Sequence, residues 1–95
     1  WDPDLARQMH RAGTGPKGGR IAALQACAWL VPTADLVFDR GMPGDGVIDI
    51  PAIRAMAEDA GYAGFTEVEL LSRRWWAEDP DDVLRIVKQR HATSC

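Results

Sequence analysis

The chain has 95 residues, 46% of them hydrophobic and 26% charged, with a net charge of −3 and a pI near 5.2. That balance fits one small globular domain and excludes a disordered tract, a basic nucleic-acid surface and a polybasic membrane patch. No apolar run approaches the ~20 residues that cross a bilayer, and Cys27 and Cys95 are too few for a disulfide framework, so a reduced, cytoplasmic setting is expected.

The chain opens on Trp1 within "WDPDL", which reads as the middle of a longer polypeptide. Asp2 can cap a helix, Pro3 suits its first position, and Leu5, Met9 and Ala12 recur at helical spacing up to Gly13. The breaker-rich "GTGPKGG", residues 13 to 19, predicts a loop. "RIAALQACAWL", residues 20 to 30, is almost continuously apolar, as expected of a parallel strand covered on both faces. Its alanines leave a helix open, but its place between helix signals favours a strand. "GDG" at 44 to 46 reads as a tight turn rather than a phosphate loop, because Asp45 would repel an anion.

A second helix is predicted after Asp49, with Pro51 in its first turn, Ile50, Ile53, Met56 and Ala60 as its apolar stripe and Gly61 as its stop. Phe65 to Leu71 then reads as a strand. The third helix repeats the first one's opening: Asp79 caps, Pro80 starts, and Val83, Leu84 and Val87 supply the buried face. Helix, strand, helix, strand, helix is the alternation of a parallel α/β architecture. Two parallel strands need neighbours on their edges, so further strands are expected before Trp1.

The Phe65–Leu71 run carries Glu67 and Glu69. Alternation puts both on one face and Thr66, Val68 and Leu70 on the other. Facing a second helix layer of an open sheet, two carboxylates would be very costly. On a water-washed edge strand they cost nothing. In a closed (β/α)8 barrel they point to the interior, where the C-terminal ends of strands build the active site. Glu69 is the later of the two and the nearer to that mouth. If buried, such a pair needs a cation or a shared proton, and a divalent ion with oxygen ligands satisfies it.

The stretches "AWLVPTADLVFDRGMPGDGVIDIPAI" and "GYAGFTEVELLSRRWWAEDPDDVL" resemble the C-terminal part of sugar phosphate isomerase/epimerase proteins, the xylose isomerase-like TIM-barrel group. The resemblance covers most of the chain. It implies an α/β fold in which residues 1–95 run from the end of barrel strand six through helix eight. Residues 20 to 30 and 65 to 71 would then be strands seven and eight. It also implies a divalent ion at the barrel mouth (Mn, Mg, Co or Zn), with Glu69 as a ligand. Gln25 stands where the seventh strand usually offers a histidine, and its carbonyl suits a hard cation. Ala28 stands where relatives tend to carry an Asp, and Pro43 where a methionine is more usual.

The implied chemistry moves a proton on the carbon next to a carbonyl, with Glu69 catalytic and Arg40 and Trp29 against a sugar or polyol substrate. Arg40 has a second reading, pairing with Asp39 or Asp45 to hold its turn. A lyase of the inosose dehydratase kind and a non-catalytic remnant, suggested by Ala28, are the rival readings; the expected partners include neither nucleic acid nor membrane. Trp75 and Trp76 can roof the mouth, meet a second copy in a homo-oligomer, or pack one ring in the core, which is the commoner use. His10 and His91 lack ligand spacing and are expected at the surface, and Cys27 reads as an inert small hydrophobe.

Overall fold

Asp49 accepts the Ala52 N–H on its side chain at 3.0 Å, and Pro51 needs no donor in the first turn, so a helix begins there. The computed structural model describes residues 2–14 and 19–95. In chain order the elements are α1 (Leu5–Gly13), β1 (Leu24–Ala26), β2 (Ala28–Trp29), β3 (Arg40–Gly41), α2 (Ile50–Asp59), β4 (Thr66–Val68), α3 (Arg73–Trp76) and α4 (Pro80–Ser94). Trp1 and residues 15 to 18 of the expected loop lie outside the described residues. Asp79 caps α4 as its sequence predicts, accepting from the N–H groups of Asp81 and Asp82.

β1 and β4 pair in parallel, with Leu24 opposite Thr66, Gln25 opposite Glu67 and Ala26 opposite Val68, and α2 lies between them in sequence. The mixed α/β order with a parallel strand pair is therefore present. The long apolar run does not stay one strand, however. It breaks at Cys27, and Ala28–Trp29 pairs antiparallel with Arg40–Gly41. Nor is it covered on both faces: Ala26 and Ala28 are buried, while Gln25 is exposed.

The core is built from small side chains, Ala26, Ala28, Ala57 and Ala60, around Met42 and Ile50. α1 packs on α2, with Gly13 set against the Ala60 backbone. His91, expected at the surface, is half-buried, and its Nε2 lies 3.1 Å from the Thr66 carbonyl, which ties α4 to β4. Trp75 is half-buried and Trp76 exposed against Phe38, so neither ring is core. No helix among the described residues is long and apolar enough to cross a membrane.

The tight turn expected at 44 to 46 lies two residues earlier, in "MPGD", residues 42 to 45. The Asp45 N–H donates to the Met42 carbonyl at 3.0 Å, Pro43 occupies the first central position, and Gly44 has φ +88°, which makes it a type II turn. Just beyond, the chain passes directly over Trp29. A Cβ at Gly46 would meet the Trp29 carbonyl and lie 2.9 Å from its amide nitrogen, with no flexible side chain there to yield. Gly46→Ala is therefore expected to cost about 1–3 kcal/mol, read as a lower midpoint in urea denaturation. An unchanged midpoint would show that this close approach is dispensable.

Candidate functional site

Glu67 and Glu69 follow the alternation: both are exposed, while Thr66, Val68 and Leu70 on the opposite face are half-buried. In-register residues of parallel strands share a face, so Gln25 stands beside Glu67. The ladder runs one residue past β4, where the Glu69 N–H donates to the Ala26 carbonyl at 3.2 Å. Glu69 is thus held in extended backbone at the C-terminal end of the pair. Phe65, two residues before Glu67, is 87% exposed on the same face.

What closes the C-terminal end of this face is the segment carrying Arg40. On one side it pairs with β2, Trp29 opposite Arg40 and Ala28 opposite Gly41. On the other, the Arg40 N–H donates to the Leu71 carbonyl and the Arg73 N–H to the Phe38 carbonyl, each at 3.0 Å, around an Asp39–Ser72 bridge. Two sequence-distant extensions are thereby stitched together. Ala28, where an Asp was the family expectation, is buried in this seam.

Arg40 lies over the Trp29 ring, 4.2 Å from its centroid, and its Nη2 donates to the Leu36 carbonyl at 3.0 Å. It pairs with neither Asp39 nor Asp45, contrary to the turn-holding reading. Asp39 accepts the Ala34 N–H at 2.7 Å, and Asp45 pairs with Arg90 at 2.8 Å. The two residues expected at a substrate, Arg40 and Trp29, are therefore brought into direct contact with each other.

Cys27, between β1 and β2, is half-buried. Burial pushes its thiol up from the ordinary value of 9.0, the Arg40 guanidinium pulls it down, and the Glu69 carboxylate pushes it up again. Desolvation wins, so Cys27 stays a neutral thiol at pH 7 and is no activated nucleophile.

The loop before Arg40 is ordered by Asp35. Its Oδ1 accepts from Val37 and Phe38, and its Oδ2 meets Arg73 Nη1 at 3.0 Å. The Phe38 N–H, then that of Val37, then Arg73 outweigh desolvation and hold the Asp35 carboxyl below its ordinary 3.8. The stabilisation is complete above that value and fades as pH falls through the lowered one, so neutral pH leaves the loop intact.

Chemically, Gln25 and Glu69 offer a carbonyl and a carboxylate oxygen, donors suited to a hard divalent ion. They are too few to hold one alone. No group of three or more His, Cys, Asp or Glu among the described residues is placed to bind a metal. His91 is engaged at Thr66, and His10 is exposed on α1. Sequence reasoning missed the antiparallel seam, the placement of Ser72 and Arg74, and the link from His91 to β4.

No protein-family profile and no curated protein matches this chain. Among solved structures, it is similar to the crystal structure of protein SMc04130 from Sinorhizobium meliloti 1021. The sequence identity is 47% and the TM-score 0.89; the alignment covers 100% of this chain and 34% of that one. The chain thus spans about a third of the length of that protein.

Proposed function

We propose that the chain supplies the seventh and eighth strands of a (β/α)8 barrel whose activity is isomerisation or epimerisation of a sugar or polyol-derived carbonyl compound. The observation that carries this reading is the placement of Gln25, Glu67 and Glu69 on one exposed face of a parallel pair, with Arg40 at its C-terminal end. In a barrel that face is the interior and that end is the mouth.

On this reading Glu69 is the residue at the reacting centre. Its carboxylate takes the proton from the carbon next to the substrate carbonyl, and the C–H electron pair moves to the carbonyl oxygen as an enediolate. Return of a proton to the neighbouring carbon, or to the other face, completes an isomerisation or an epimerisation. Arg40, oriented by Trp29, donates hydrogen bonds to a substrate oxygen. Gln25 and Glu69 are the residues that would hold a divalent ion, which when bound polarises the carbonyl. The other ligands and the second carboxylate belong to other strands of the barrel.

The test is solvent exchange. The intact protein carrying this chain, incubated with Mn²⁺ or Mg²⁺ and a panel of ketoses and aldoses in D₂O, is expected to place deuterium next to the carbonyl of one of them, read by NMR. A dehydrated ketone as product would move the reading to a lyase. Exchange into no member of the panel, at any metal tested, would count against it.

A further inference from the structure

Beside the sheet face lies a polar pocket of about 420 Å³, lined by Arg40, Arg74 and Arg90 together with Asp39, Asp45 and Ser72. We propose that this pocket binds a carboxylate and that the molecule acted on is therefore an acidic sugar, an inference that rests on the sugar chemistry proposed above.

Two of the guanidiniums are held by aromatic rings rather than by acids. Arg40 lies over Trp29, and Arg74 lies over Trp75 with its Cζ 4.8 Å from the ring centroid. Stacking engages the flat face of a guanidinium and leaves its edge, where the N–H donors are, to other partners. On Arg40 the Leu36 carbonyl takes one Nη2 donor, and the rest of the fork pairs with no acid among the described residues. Stacking also leaves the charge unneutralised. Neither side chain forms an ion pair among the described residues. A fixed fork of N–H donors matches the two oxygens of a planar carboxylate.

Ser72, a residue only 2% exposed, lines the same pocket and makes no capping bond to α3.

Charge decides which oxyanion fits. Three arginines against two aspartates leave one net positive charge in the lining. Arg90 and Asp45 largely cancel each other at 2.8 Å. Asp39 remains beside the stacked pair, with one oxygen taken by the Ala34 N–H. A monoanion balances this lining, whereas a phosphate dianion would bring surplus negative charge against Asp39 and Asp45. Because Arg40 lines the pocket and its backbone is bonded to Leu71, two residues past Glu69, one ligand can place its acid group in the pocket and its carbonyl at the strand end.

Calorimetric titration of the intact protein, without added metal, separates the possibilities with three probes that differ only at one carbon. These are glucuronate, glucose and glucose 6-phosphate. Glucuronate is expected to bind at least about tenfold more tightly than glucose. Arg74→Gln should abolish that advantage, and Ser72→Ala, a small change at a buried position, should reduce it severalfold. Glucuronate no tighter than glucose, glucose 6-phosphate tighter than glucuronate, or an advantage that survives Arg74→Gln would each overturn the proposal. Carboxylate-selective binding with no deuterium exchange would remove the isomerase reading and leave the pocket standing. Exchange on a neutral sugar with no carboxylate preference would do the reverse.

Discussion

Replacing Glu69 with Gln in the intact protein is expected to slow deuterium exchange into the substrate by about 10²–10⁴-fold, the usual contribution of a positioned general base. Gln keeps the size and the hydrogen-bonding reach of the side chain. It removes the charge that would accept the proton and help hold an ion. The backbone of residue 69 is pinned to the Ala26 carbonyl, so the substitution leaves the strand end in place. Glu67→Gln is the internal comparison. Its carboxylate sits one pleat further from Arg40, and its substitution is expected to change the rate by less than about tenfold. A Glu69→Gln protein that exchanges at the normal rate in the presence of a chelator would show that neither base nor ligand resides at this position.

The second large effect concerns the 95-residue chain expressed on its own, which is expected to self-associate or to lack fixed side-chain packing. Half of the buried side chains among the described residues are alanines, while Phe65, Leu36, Val31 and Trp76 are more than half exposed. Its parallel sheet has only two strands, and open strand edges are templates for pairing. A chain of this size buries only roughly 60–70% of its unfolded surface even with a good core. Gln25 and Glu69 supply two oxygen donors where a hard divalent ion takes about six, so Mn²⁺ and Mg²⁺ should bind weakly or not at all, and no sugar should be converted. Sedimentation velocity, metal titration and a sugar-conversion assay on the same sample check this. A monomer that binds metal tightly and turns over a sugar would sink the account of the open sheet face.

The corrections share one physical origin, which is pairing between residues far apart in sequence. "RIAALQACAWL" reads as one buried strand because Ala, Leu and Ile suit either face. Nothing in its periodicity marks Cys27 as the break. The break comes from competition: β4 takes the backbone of 24 to 26, and the Arg40 segment takes 28 and 29. His91 looks like a surface residue on a helix until β4 offers the Thr66 carbonyl as its partner.

Some features need only neighbouring residues, and these were legible in the sequence. The Asp-Pro openings of α2 and α4 follow from a carboxylate beside free N–H groups and a proline that lacks one. A tight turn in this stretch was legible from its glycines, though it centres on Pro43-Gly44, where one residue has fixed φ and the other tolerates a positive one, rather than on 44 to 46. The shared face of Glu67 and Glu69 follows from the two-residue period of a strand. What surrounds that face had to wait for tertiary structure. Arg40 is 29 positions before Glu69 in the sequence. It comes near only because the Asp39–Gly41 backbone, with no helix or strand signal of its own, satisfies its hydrogen bonds against both Trp29 and Leu71. Backbone hydrogen bonding carries no side-chain identity. The residues could therefore announce which groups do chemistry, and only the folded chain could decide which of them meet.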